Sequence, residues 1–217
     1  LIQATLIHKY RKIFSKQNTT KQKSQKIAVI GAGPAGLAAT WFLIKQGYQV
    51  KIFEKSDKVG GALNLIPTYR LPYEGDQPEV IEDDWNYIKS MGDGEIEFNC
   101  QIDNPTDLFN QGFDGIIMAI GEQNAIDLGI DGEEHIVSYY DYLSNPSLYK
   151  DAKKVGIIGG GNVACDCAIT AKKSGANDVS MFIRRKFFDM RITKSELNEL
   201  WNKQIDLVTT TCVHAES

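Results

Sequence analysis

Residues 26–36, Lys-Ile-Ala-Val-Ile followed by Gly31-Ala32-Gly33-Pro34-Ala35-Gly36, constrain this chain more than any other stretch. The short apolar run predicts a strand, and G-x-G-x-x-G directly after it predicts a turn that leaves no room for side chains. In such a turn the first glycine permits the sharp reversal. The second lets the backbone approach a pyrophosphate, and the third lets helix and strand pack closely. The apolar residues from Leu37 to Lys45 predict a helix, Gly47 its stop, and Gln49 to Glu54 a second strand, completing one βαβ unit. The start of that helix offers unpaired N–H donors and the positive end of a dipole, so an anion is its natural occupant. Glu54 ends the second strand, 18 residues past Gly36, where a carboxylate can accept from both ribose hydroxyls. Many glycine turns of this form bind nothing; strand, helix and terminal acid together point to a dinucleotide.

The pattern then occurs a second time. Lys154 to Ile158 predicts a strand, Gly159-Gly160-Gly161-Asn162-Val163-Ala164 is G-x-G-x-x-A, a helix follows from Asn162 to Lys173 with its stop at Gly175, and Val179 to Ile183 is the next strand. Aligned on their first glycines, the two copies keep step as far as Gly47 and Gly175, 16 residues on. One additional residue in the following turn makes Ile183 the counterpart of Glu54, and Arg184, Arg185 and Lys186 come next. No acid is available there for a free 2′-hydroxyl, whereas two guanidiniums can clamp a 2′-phosphate. This favours NADP(H) over NAD(H), although a solvated strand end would use the same residue types. Two dinucleotides in one chain suggest hydride transfer from a nicotinamide to a flavin, since two nicotinamides have nothing useful to exchange. The expected fold class is α/β, with two Rossmann-like dinucleotide-binding domains, the second inserted in the first. Residues 1–25 would be an N-terminal helix and linker, 26–122 the FAD-binding domain and 123–217 an incomplete NAD(P)H-binding domain.

Composition bounds this reading without adding to it. A chain of 217 residues that is 42% hydrophobic and 24% charged is ordinary for a globular protein. Its formal charge of −4 argues against nucleic-acid binding by the whole chain. The segment up to Phe53 holds nine Lys or Arg and no Asp or Glu; a targeting segment or a solvated basic helix would both look like this, and the second is favoured. Leu6, Ile7, Tyr10, Ile13 and Phe14 form one stripe of an amphipathic helix over 3–14, and 15–26 reads as a linker. No apolar run approaches the roughly 18 residues of a membrane span. Cys100, Cys165, Cys167 and Cys212 contain no C-x-x-C pair, so metal and iron–sulfur sites are not expected, and reduced thiols suit a cytoplasmic protein. Further elements are expected as a helix over 80–90, a strand over 95–100, a fully buried strand at Gly115 to Ile120, and a helix around Tyr139 to Leu143.

These residues resemble a known family. KIAVIGAGPAGLAA, the acid of IFEK, Gly60-Gly61 and the run from Ile66 to Pro72 are similar to the FAD-binding half of the glutamate synthase small subunit and its relatives. VGIIGGGNVACDCA and ANDVSMFIRRKFFDMRITKSE are similar to the NADPH-binding half, the latter closest to dihydropyrimidine dehydrogenase. Met118-Ala-Ile-Gly121 stands where that family crosses between its two domains. The resemblance implies FAD pyrophosphate on Gly31, Ala32, Gly33, Pro34, Ala35 and Gly36, and FAD ribose on Glu54 and Lys55. It implies Gly61, Leu65 and Arg70 near the flavin, and Gly121 at the crossover. NADPH would use Gly160, Gly161, Asn162, Val163, Arg184, Arg185 and Arg191. No residue is implied as catalytic acid or base, because the flavin accepts the hydride and the protein positions the rings.

Departures from the family are also legible. Residues 56–99 contain no cysteine, which argues against a disulfide reductase of the glutathione or thioredoxin type. Residues 1–30 contain no cysteine, whereas relatives have a cysteine-rich segment before the FAD loop, so clusters that take electrons from the flavin would be expected elsewhere. The late strand and Gly-Asp pair that close the FAD site are not found either: Gly75-Asp76 and Gly92-Asp93 lack a preceding buried strand. The chain is therefore expected to be part of a longer NADPH-dependent flavoprotein that passes electrons to an acceptor on another domain or subunit. The acidic stretch from Glu74 to Asp107 could dock such a partner, though a solvated face has the same composition. A ferredoxin or adrenodoxin-type NADP reductase relative, or a non-catalytic fragment, are the alternative expectations.

Overall fold

The computed structural model describes residues 21–67, 77–121 and 128–209. The helix expected over 3–14, Arg70, Gly75-Asp76 and Cys212 lie outside these residues. The described chain divides into two compact units, one of residues 21–64 and 77–121, the other of 65–67 and 128–209.

In the first unit β1 (Lys26–Ile30), α1 (Pro34–Lys45) and β2 (Gln49–Phe53) form the expected βαβ unit. Helix α2 (Gln77–Lys89), β3 (Gly94–Glu97), the single-turn α3 (Asp107–Asn110) and β4 (Gly115–Met118) complete it. The sheet order is β3-β2-β1-β4, and every pairing is parallel. β1 is therefore interior, which explains its unbroken Ile-Ala-Val-Ile: a strand covered on both faces needs apolar residues at successive positions. Val29 and Ile52 join Leu37, Ile44, Ile81, Trp85 and Ile88 in a core on one face. Ala28 and Ile30 turn the other way, packing with Phe53 and Leu108.

The second unit repeats the arrangement. After α4 (Tyr139–Ser144) come β5 (Lys154–Ile158), α5 (Asn162–Lys173), β6 (Asp178–Ile183), α6 (Lys194–Asn202) and β7 (Asp206–Thr209). The strands pair in parallel in the order β5-β6-β7. Cys165, Ala168 and Ile169 of α5 pack with Val179, Met181 and Ile183 of β6 and with Leu200 of α6. The two copies match in register as well as in sequence spacing: Ile30 faces Phe53 in the first, and Ile158 faces Phe182 in the second.

One expectation needs correction. The apolar run at residues 115–120 was expected to be a fully buried strand, but only Gly115–Met118 is a strand, and Met118 and Ile120 are 53% and 58% exposed. Among the described residues β4 is an edge strand paired on one side only, so its composition is that of an interior strand without the burial. Sequence reading also passed over α6 and β7. The signal for α6 was present as Thr193-x-x-Glu196, which forms a capping box in which each residue satisfies a backbone N–H of the other.

Because the units have separate cores, Ile52→Ala, which empties a fully buried position of the first, should cost about 2–5 kcal/mol. Denaturant unfolding followed by circular dichroism checks this; a loss below about 1 kcal/mol would contradict the assigned core.

Candidate dinucleotide sites

Each glycine of the first loop meets a different physical demand. Gly31 has φ +104°, and a β-carbon there would lie 2.4 Å from the Ala119 carbonyl oxygen. A β-carbon at Gly36 would lie 1.9 Å from the Gly31 carbonyl oxygen, so α1 can start against β1 only without one. Gly33 is different. Its backbone is extended, at φ −75° and ψ −175°, and a β-carbon would meet nothing nearer than the Gly61 α-carbon at 3.9 Å. Neither conformation nor packing among the described residues requires a glycine at that position.

The second loop repeats this. Gly159 has φ +142°, and a β-carbon at Gly160 would come 2.7 Å from Ile183. Gly161 is extended at φ −109° and ψ 179°, with nothing within 4 Å of the position a β-carbon would take. Gly33 and Gly161 occupy the same place in their motifs, the position at which a ligand's phosphates approach the backbone.

Both loops lead into helices that begin without a side-chain cap. The residues before α1 and α5 are Gly33 and Gly161, neither helix has a side-chain cap hydrogen bond, and neither carries an acid in its first turn. By contrast Ser138 caps α4 and Thr193 caps α6. The first N–H groups of a helix have no intrahelical acceptor. In α1, where Pro34 has no N–H, those of Ala35 and Gly36 remain as donors, and in α5 those from Asn162 on; both sets lie at the positive end of a dipole with no carboxylate of the same turn competing for them.

The strand ends distinguish the two sites. Gly31 N–H donates to Phe53 O at 2.8 Å and Gly159 N–H to Phe182 O at 3.0 Å, so Glu54 and Ile183 are equivalent positions. Glu54 is 6% exposed. Its Oε2 accepts from Ala32 N–H at 2.6 Å, and its Oε1 accepts from Ser56 N–H at 2.9 Å and Ser56 Oγ–H at 2.7 Å. The carboxylate is thus tied to the loop it was expected to accompany. Ile183 is 2% exposed and packs over Gly160. Arg184, Arg185 and Lys186 follow it, all exposed. A backbone bridge between Gly161 and Arg191 returns the chain to the second loop.

The remaining expected residues distribute as follows. Gly60 N–H donates to Ala32 O at 2.8 Å, and Gly61 lies against Gly33, so this pair abuts the first loop. Leu65 ends a short helical turn from Gly61 and is half-buried. Pro34 and Ala35 are exposed in the first turn of α1, as are Asn162 and Val163 in that of α5. Lys55 is exposed beside Glu54. Gly121, at φ +67°, has nothing near its β-carbon position.

The cysteines are built for packing. Cys100, Cys165 and Cys167 form no disulfide bond. Burial, reinforced by the Asp166 carboxylate, pushes Cys167 up to about 12, and burial followed by Glu97 raises Cys100. Neither is held as a thiolate, the form a nucleophile needs. Among the described residues no group of His, Cys, Asp and Glu could hold a metal ion, and no helix is long and apolar enough to cross a membrane.

Residues 25–216 match the sequence profile of the pyridine nucleotide-disulphide oxidoreductases. Over 196 residues the chain is 32% identical to the NADP(+)-dependent formate dehydrogenase subunit beta of Moorella thermoacetica, covering 84% of this chain and 27% of the relative. It is 33% identical over 181 residues to the NADPH glutamate synthase small chain of Bacillus subtilis, covering 75% and 35%. The chain thus spans about a third or less of these curated relatives' lengths. Among solved structures, 2-naphthoyl-CoA reductase superposes with a TM-score of 0.74 at 22% identity, covering 92% of this chain and 30% of the other.

Two outcomes follow from the loops and the thiols. Gly36→Ala should destabilise by roughly 3 kcal/mol, while Gly33→Ala in ligand-free protein should stay within about 0.5 kcal/mol of wild type; parallel thermal melts check the contrast. The raised Cys167 thiol stays protonated in the native state while the same group ionises in the unfolded chain above its ordinary 9.0, so its contribution to stability is lost as pH rises beyond about 9. Cys167→Ala should therefore lose less stability than wild type between about pH 8 and about pH 10, measured by denaturant midpoints.

Proposed function

The chain belongs to the pyridine nucleotide-disulphide oxidoreductase family, and on that premise we propose that it carries hydride from NADPH to FAD for an acceptor on another domain or subunit. The family is one of oxidoreductases whose members bind FAD and NADP(H). The observation that supports the assignment to this chain is the pair of uncapped, acid-free helix starts, each preceded by a glycine for which packing among the described residues gives no reason. These residues fit two dinucleotide diphosphates.

In this reading the N–H groups at the start of α1 hold the FAD diphosphate, with Gly31, Gly33 and Gly36 shaping the approach and Gly61 beside them. Glu54, already fixed by Ala32 and Ser56, turns its remaining lone-pair capacity to a ribose hydroxyl. The start of α5 holds the NADPH diphosphate. Arg184 and Arg185 neutralise the 2′-phosphate at a strand end where apolar Ile183 replaces the acid that would prefer a free hydroxyl. The flavin supplies the hydride-accepting chemistry, and this chain supplies no acid or base for it.

The second half of the reading, delivery to a separate acceptor, is supported by the relatives' own descriptions as a beta subunit and a small chain of larger NADP(H)-linked enzymes. A cytoplasmic setting is consistent with Cys100, Cys165 and Cys167 lying outside any disulfide.

The test is direct. The purified protein should be yellow or take up FAD with a flavin absorbance band, and a colourless protein after FAD addition removes the flavoprotein reading. NADPH should raise the melting temperature more than NADH. Arg184→Ala with Arg185→Ala should weaken NADPH by about tenfold or more while leaving NADH nearly unchanged. Equal protection of wild type by NADH and NADPH would overturn the assignment of these arginines.

A further inference from the structure

The segment that joins the end of β6 to the second glycine loop contains more than cations. Directly after Arg184, Arg185 and Lys186 come Phe187 and Phe188, and Phe188 is 94% exposed, more than any other large hydrophobic residue described. Nearly the whole Phe188 side chain is therefore in water, where a ligand can reach it. Its surroundings are ordered. Phe187 lies edge-on to it with ring centroids 5.5 Å apart, and Phe187 itself stacks on Trp201 of α6 at 6.2 Å and 9°. The short helical turn Phe187–Asp189 holds the two rings, and the bridge from Arg191 to Gly161 ties the segment to the loop. At the corresponding strand end of the first unit, Glu54-Lys55-Ser56-Asp57-Lys58, there is no aromatic residue.

Resting on the NADPH reading above, we propose that Phe188, braced by Phe187 and Trp201, is the platform on which the adenine of the nucleotide stacks. A 2′-phosphorylated adenosine presents a dianionic group and a flat π-face on one ribose. The segment 184–188 presents the two complements in the same order, guanidiniums and then an exposed ring. Base–aromatic stacking contributes through the π-face that every purine has, and it falls away on truncation to alanine. The two kinds of contact make separable contributions: the arginines select the phosphate, whereas Phe188 holds the base and is indifferent to the phosphate. Phe188 is accordingly a positioning residue for the nucleotide and takes no part in hydride transfer.

The experiment is isothermal titration of the full chain with adenosine 2′,5′-bisphosphate, NADPH and NADH. Phe188→Ala should weaken all three by about the same factor, on the order of tenfold. The preference for NADPH over NADH should be unchanged, and so should the melting temperature without ligand. Phe188→Trp should restore affinity, and Phe188→Leu, equally apolar but without a π-face, should not. The platform is overturned if Phe188→Ala binds adenosine 2′,5′-bisphosphate as wild type does, if Leu restores as fully as Trp, or if only NADPH is weakened. Wild-type protein that binds none of the three would sink the NADPH reading along with it, an outcome distinct from a Phe188 variant that binds normally.

Discussion

A β-carbon at Gly36 would lie 1.9 Å from the carbonyl oxygen of Gly31. That distance determines how closely α1 packs on the first sheet, and much else follows from it. The helix must start where it does, so its N–H groups emerge at the carboxyl end of β1, between β2 and β4. Glu54 then falls within 2.6 Å of the Ala32 N–H, and Gly60-Gly61 is drawn over the turn by a hydrogen bond to Ala32 O. A ligand site of this kind follows from helix–strand packing, because the same close approach that excludes a side chain also directs unpaired donors outward.

The two copies place different residues at the same point of one scaffold. Their loops and helices match in spacing as far as Gly47 and Gly175, and each first glycine donates to the residue just before Glu54 or Ile183, at Phe53 O and Phe182 O. What differs is the residue one step later. Glu54 is buried and hydrogen-bonded, and Ile183 is buried and packed. A carboxylate at that point would repel a phosphate and attract a hydroxyl, and an isoleucine does neither.

Much of this was legible in the sequence because glycines at fixed offsets mark tight geometry irrespective of context. The βαβ units, with β1 and β5 at their expected bounds, and the equivalence of Glu54 with Ile183 came from spacing alone. The exposure of Met118 and Ile120 did not, since an apolar run identifies a strand but cannot say how many neighbours pair with it. Nor did α6 and β7. The capping residues Thr193 and Glu196 were present, but Glu196 is 5% exposed through its place in the capping box, a burial that hydropathy gives no reason to expect. That no described residue packs closely enough to demand glycine at Gly33 or Gly161 emerged only from coordinates.

The missing caps on α1 and α5 have a thermodynamic side. Helix starts that lack a side-chain acceptor are completed by whatever anion occupies them, so part of the folding free energy resides in the ligand. Binding to the native state alone stabilises it by about 2.7 kcal/mol at a free concentration one hundred times the dissociation constant. If the proposed nucleotides are the occupants, the persistence of this protein against unfolding and proteolysis becomes a function of the nucleotide supply around it, and a cell depleted of them would hold less of the folded chain with no change in its synthesis.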